Sequence, residues 1–195
     1  MSNRVEVSLR RAAADLESIE PRWALIGGLA VSARAEPRLT RDVDLAVAVQ
    51  SDEEAEQVVH ALKQMGYGLV ALVEQTAVGR LATARLSAPG EAGVLVDLLF
   101  ASSGIEPEIA DRAESIEIVP GLTVPLARIG HLLALKVLAR DDRHRPQDAD
   151  DLRALLAVAA PDDLEEARRA LQMIESRGFN RGRDLVALWT ALLGQ

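Results

Sequence analysis

Asp42 and Asp44 stand two residues apart in Asp42-Val43-Asp44-Leu45-Ala46-Val47-Ala48-Val49, a stretch that alternates with period two. In a strand this spacing turns both carboxylates to one face and Val43, Leu45, Val47 and Val49 to the other. Upstream, the apolar run Trp23-Ala24-Leu25-Ile26 stops at Gly27-Gly28, and Leu29-Ala30-Val31-Ser32-Ala33 continues as a helix. Two glycines let backbone pass close to a bulky ligand, and a helix N-terminus offers unpaired N–H groups to phosphate oxygens. Paired carboxylates beside a phosphate cradle are what magnesium-dependent phosphoryl transfer requires.

A third acid, Asp97, lies in the middle of Gly93-Val94-Leu95-Val96-Asp97-Leu98-Leu99-Phe100, an apolar strand expected to be buried on both faces. Left unpaired there, a carboxylate costs several kcal/mol, so Asp97 needs a metal or a partner. Beside the Asp42/Asp44 strand it would complete a three-carboxylate cluster; the alternative is a structural aspartate bonded to backbone or to an arginine. Lys136 falls on the apolar stripe of a helix that also carries Leu132, Leu133 and Val137. A lysine so placed either snorkels to an edge or enters a cleft toward a negative ligand. Arg34, Arg38 and Arg41 flank the proposed site in sequence, and Arg140, Arg143, His144 and Arg145 form a second basic cluster. Each of these, taken singly, reads as solvated surface charge.

The elements that hold these residues follow from periodicity. Val5, Leu9, Ala12, Ala13, Leu16 and Ile19 mark a helix over 3–20, ended by Pro21. Ser51 followed by Asp52, Glu53 and Glu54 caps a helix that buries Ala55, Val58, Val59 and Leu62 and closes at Gly66. Residues 68–73 are apolar, Arg80 to Ser87 alternate, and Pro89-Gly90 is a turn, which predicts antiparallel strands. A short helix over 104–113 and two short strands around Pro120-Gly121 come next. From Ala127 helices dominate. The expected architecture is α+β, a mixed sheet flanked by helices. It divides into a core over residues 1–126 and a helical region over 127–195 packed on it.

At 195 residues and 49% hydrophobic content the chain can bury a real core, built from Leu, Val and Ala because aromatics make up only 3%. The absence of cysteine excludes disulfides and cysteine-ligated metal. No signal-peptide segment or membrane-length apolar run is present, so the expected location is cytoplasmic, without membrane contact. A net charge of −8 argues against wrapping by nucleic acid through general electrostatics, though not against a local basic rim.

Gly27-Gly28, a loop, then Asp42-Val43-Asp44-Leu45 resembles the signature of the DNA-polymerase-β-like nucleotidyltransferase superfamily. The wording Ile26-Gly27-Gly28-Leu29-Ala30 through Thr40-Arg41-Asp42-Val43-Asp44-Leu45 is most similar to its abortive-infection (AbiEii-type) toxin branch and the mycobacterial MenT relatives. The resemblance is good over 23–49, fair over 93–100 and looser over 128–152. It implies transfer of a nucleoside monophosphate from an NTP to a hydroxyl, with Asp42, Asp44 and Asp97 holding two Mg²⁺ ions. It further implies phosphate contacts from Gly27 and Gly28 and from Lys136, to which Arg41 could add. Many superfamily members have glycine–serine at the turn, and Ser32 is the candidate to replace that hydroxyl. An aspartate pair three apart in the family maps onto Asp148 and Asp151, giving Asp148 a contact to Lys136 or to substrate; the competing account is helix-start chemistry after Pro146. As acceptor the resemblance suggests tRNA, with a cognate antitoxin as partner. A protein acceptor (AMPylation), a small-molecule acceptor and a non-catalytic nucleotide-binding role remain the alternatives.

Overall fold

The computed structural model describes residues 3–90, 93–140 and 146–194. Its first helix, α1 (Asn3–Ile19), buries Val5, Leu9, Ala12, Ala13 and Leu16 along one stripe. Arg10 donates to the carbonyls of Pro120 and Gly121, tying the helix to a distant turn. Glu20, in the left-handed region at φ 63°, turns the chain into β1 (Arg22–Ile26). Then come α2 (Gly27–Arg34) and β2 (Asp42–Ala48), joined by the loop that carries Pro37. Helix α3 (Asp52–Gln64) starts at Ser51, whose side chain accepts from the Glu54 N–H. Strands β3 (Gly68–Gln75), β4 (Arg80–Ser87) and β5 (Leu95–Leu99) follow, then α4 (Glu106–Asp111), β6 (Glu114–Val119) and β7 (Leu122–Leu126). Past Leu126 the described chain is helical: α5 (Ile129–Ala139), α6 (Pro146–Val158), α7 (Pro161–Ser176) and α8 (Leu185–Leu193).

All seven strands form one mixed sheet in the order β3-β4-β5-β2-β1-β7-β6. β2 pairs with β5 and β1 with β7 in parallel, and the other pairs are antiparallel. Both parallel pairs bridge elements separated by helices or hairpins, as crossover connections demand. On one face Val43, Leu45, Val47, Val96 and Leu98 are fully or almost fully buried. α1 packs on β2 and on α3, and α3 packs on β4. α2 packs on β1 and β2, and touches α5 and α6; α5 in turn packs on α7 and α8. The helical C-terminal region therefore reaches the sheet next to the Gly27-Gly28 turn. The apolar run at 68–73 does form a strand, but as the exposed edge of the sheet rather than a core element.

Candidate active site

Strand register builds one row of side chains across the sheet. Arg85 on β4 lies opposite Asp97 on β5, Asp97 opposite Asp44 on β2, and Asp44 opposite Ile26 on β1. Opposed residues in neighbouring strands share a face, so Arg85, Asp97 and Asp44 line up side by side. Asp42 stands two residues before Asp44, opposite Leu95 and on the same face. The period-two pattern thus places both acids of β2 as the sequence suggests, next to the acid of β5.

Beyond Ile26 the row ends in the glycine turn. Gly27 has φ 66°, and a Cβ on it would overlap the Asp44 carboxylate. Gly28 donates its N–H to Asp44, so the N-terminus of α2 takes up a protein carboxylate. A Cβ on Gly28 would lie 2.5 Å from Arg38 Nη2: the guanidinium fills the room that the serine of a glycine–serine turn would need. Ser32 has its hydroxyl engaged within the protein. Its Oγ donates to the Gly28 carbonyl at 2.9 Å and accepts from the Arg38 N–H at 3.2 Å, pinning the loop to α2.

Electrostatics across the row are uneven. Burial pushes the Asp44 carboxyl up to about 6; the Asp97 charge adds to that rise, while Lys136 opposes it. Asp97 is almost fully buried, yet both its oxygens are engaged, Oδ1 by Arg85 Nε at 2.8 Å and Oδ2 by Arg85 Nη2 at 2.6 Å. That bidentate pairing is strong geometry for a charge-assisted hydrogen bond, and it raises the guanidinium pKa. The arginine-bonded alternative for Asp97 is therefore what the structure contains. Asp42 is half-buried at the start of its strand.

Opposite the glycine turn sits a second ionic group. Lys136 on α5, almost fully buried, lies 2.8 Å from Asp148 Oδ1 and 2.7 Å from Asp151 Oδ2, both on α6. Arg38 closes on the same Asp151, with Nε 2.6 Å from Oδ1 and Nη2 2.9 Å from Oδ2. Asp148 and Asp151 are buried, so they are more than exposed first-turn acids. Two cations face two anions within the electrostatic reach of Asp44.

The rest of the basic rim divides. Arg34 is committed to Glu114 at 2.8 Å and to the carbonyls of Leu126 and Ala127. Arg41 is exposed one residue before Asp42. Arg143, His144 and Arg145 lie outside the described residues. Sequence reasoning missed Arg85 and left Arg38 as a flanking charge. The available signal was parity: Arg85 is the one cation inside the alternating run Leu81–Ser87.

Asp42 and Asp44, two carboxylates on one strand face, are the kind of hard oxygen donors that suit a divalent cation. Among the described residues, no three acids or histidines are placed to close on one ion, because Asp97 is turned to Arg85. Asp97 joins the pair only by exchanging that guanidinium.

The mixed sheet in this order, with a strand–Gly-Gly–helix unit feeding paired aspartates on the next strand, is consistent with the nucleotidyltransferase resemblance of the sequence. The chain is similar in fold to an antigenic nucleotidyltransferase-like protein from Paracoccidioides brasiliensis (22% identity, 97% of this chain and 94% of that one, TM-score 0.54). It is also similar to the antibiotic-resistance factor ANT(2'')-Ia in solution (14%, 91% and 94%, TM-score 0.58). The likeness extends to the crystal structure of ANT(2'')-Ia with adenylyl-2''-tobramycin (14%, 90% and 99%, TM-score 0.55). Among curated proteins no sequence matches it. The family described as nucleotidyl transferase AbiEii toxin, of type IV toxin–antitoxin systems, matches residues 9–191, and the chain belongs to that family. Enzymes of this kind use an NTP and a divalent metal. No helix among the described residues is long and apolar enough to cross a membrane.

Proposed function

We propose that this protein is a toxin-like enzyme that moves a nucleoside monophosphate from an NTP to a hydroxyl of tRNA and depends on Mg²⁺. The observation that carries the reading is the row Asp97–Asp44 running into the Gly27-Gly28 turn, with Asp42 beside it. Asp42 and Asp44 would hold the divalent metal, which supplies charge neutralisation and Lewis-acid polarisation at phosphate. The first turn of α2 would receive phosphate oxygens through its N–H groups. Lys136 and Arg38 would trade Asp151 and Asp148 for the triphosphate, two buried cations exchanging one set of anions for another.

In the reaction the acceptor hydroxyl oxygen bonds to the α-phosphorus and the bond to the pyrophosphate leaving group breaks. Asp97, neighbouring Asp44 in the row, would take the hydroxyl proton once Arg85 has moved off it. The protein's own contribution is then positioning and charge stabilisation. Arg41, exposed one residue before Asp42, is a cation available to a polyanionic acceptor, and tRNA is the acceptor that the sequence resemblance suggests. A cognate antitoxin is the partner this reading implies.

The test incubates the protein with Mg²⁺, each α-labelled NTP in turn, and either total tRNA, a protein lysate or an aminoglycoside. Asp44→Ala is the control. Label on tRNA that disappears with Asp44→Ala supports the proposal. Label on protein or on the aminoglycoside moves the acceptor, and label that survives Asp44→Ala removes the metal assignment.

A further inference from the structure

β3 forms one edge of the sheet, interrupted by register shifts at Val70 and after Val73, but from Leu69 to Val73 it lacks the charges and prolines that usually protect an edge. Among the described residues only β4 pairs with it, and Leu69, Val70, Leu72 and Val73 are all between 42% and 55% exposed. Edges of monomeric proteins carry lysines, prolines, bulges or inward charges to prevent strand addition; between the two shifts the segment stays regular, and nothing charged occurs over residues 69–73. A register shift at Val70 sets Leu69 opposite Leu86 and Leu72 opposite Ala84. Both leucines therefore turn to the same side. They line a groove of about 540 Å³, whose other wall is the α3 stripe carrying Glu53, Glu56, His60 and Lys63.

That stripe has a direction. It is acidic toward the start of α3 and basic toward its end. Asp52, at the start, accepts from Arg80 Nε at 2.6 Å and from the Leu81 N–H at 3.0 Å, and Arg80 pairs with Gln75 at the far end of β3. The end of α3 leads through Met65 into Gly68, the first residue of β3. Helix and strand thus run antiparallel, so the acidic end of the groove lies over the end of β3 and the basic end over its beginning.

We infer that β3 is the seam of a two-fold dimer, in which it pairs antiparallel with β3 of a second copy about an axis near Leu72. Such an axis stands perpendicular to the sheet, keeps both copies of α3 on one face and reverses their direction. Leu72 then meets Leu72 of the other copy on the α3 side, and Ala71 comes opposite Val73 on the other side. Glu53 and Glu56 come to the end of the groove where the other copy presents Lys63 and His60. The charge gradient is its own complement under this rotation. A uniformly acidic occupant would meet Glu53 and Glu56, and a uniformly basic one Lys63, so a second copy fits the groove better than either. The row starts with Arg85 on β4 and its acids lie further in, on β5 and β2, so the catalytic face stays open in the dimer.

The full-length protein is examined by light scattering on a sizing column at about 100 µM and by sedimentation at serial dilution. A mass near twice 21.0 kDa is expected. Leu72→Lys, an exposed position whose change leaves the monomer core intact, should convert it to monomer with unchanged circular dichroism. Glu56→Lys and Lys63→Glu should each weaken the dimer about tenfold, and the double variant should regain it. A wild-type mass of 21.0 kDa at that concentration overturns the proposal. So does a dimer that tolerates Leu72→Lys, or a monomer that a different protein holds through Leu72.

Discussion

Arg85 grips Asp97 through two parallel hydrogen bonds of 2.8 and 2.6 Å from directly across the β4–β5 ladder. Next to Asp97 on its other side stands Asp44. One guanidinium therefore serves a face that carries three carboxylates, and the acid it satisfies is the most buried of them. The Asp44 carboxyl is raised to about 6, first by its own burial and then by the neighbouring Asp97 charge.

Removing Arg85 should strand a buried carboxylate. Breaking a fully buried pair costs about 3–5 kcal/mol; because Arg85 is 44% exposed, the loss on Arg85→Ala should be nearer about 1–3 kcal/mol. Arg85→Ala combined with Asp97→Asn should recover most of it. Urea denaturation of the four proteins in the cycle measures the coupling. A coupling near zero would mean that Asp97 is held by something other than Arg85.

Asp44 gives a pH signature. Its folded-state pKa of about 6 lies above the unfolded value of about 3.9, so the folded protein holds this proton more tightly. Stability is fully present below the unfolded value, falls as pH rises through the window from about 4 to 6, and stays reduced above it. Asp44→Asn removes the penalty. It should match the wild type below about pH 4 and exceed it by about 3 kcal/mol at pH 8. Melting curves recorded in a chelator across that range are the check, and parallel profiles would show that Asp44 is not a desolvated carboxylate. Transfer activity, which needs the carboxylate charged, should rise through about pH 6.

How far these relationships could be read in the sequence depended on their range. The alternation from Asp42 to Val49 is local, and a strand's pleat converts it directly into one acidic face. Gly27-Gly28 gave up its position, but the reason for it is a contact with Asp44, some distance along the chain. Arg85 was illegible because its partner is fixed by the register of β4 on β5, which no local pattern states. The partners of Ser32 are local, the Gly28 carbonyl and the Arg38 N–H, but they depend on the fold of the loop after α2, which residue types alone do not state. The apolar residues of β3 showed strand character without showing burial, since an edge and a core strand share the same composition.

The two glycines should respond differently to alanine. At Gly27 the positive φ and the overlap with the Asp44 carboxylate act together, so Gly27→Ala should cost about 2 kcal/mol or more. At Gly28 the obstruction is mainly the end of the Arg38 side chain, which can swing away. Gly28→Ala should cost less, about 1 kcal/mol, and Arg38→Ala should relieve it. Chemical denaturation of the single and double variants separates the cases. Equal losses at both sites would remove the role of Asp44 in dictating the turn.

Lys136 separates structure from chemistry. It sits between Asp148 and Asp151, and Arg38 alone remains for Asp151 when it is removed. Lys136→Met should therefore lose about 3 kcal/mol, within the range for a broken buried pair. Adding Asp148→Asn removes one of the two carboxylates that Lys136 faces and should return part of the stability. If Lys136 also reaches the triphosphate, that rescued protein will still bind NTP about tenfold or more weakly, because no neutral side chain replaces a cation at phosphate. Calorimetric titration with a non-hydrolysable NTP reads this directly. A double variant restored in both stability and NTP affinity would show that Lys136 serves only as counter-ion to α6, leaving Arg38 as the cation beside the glycine turn.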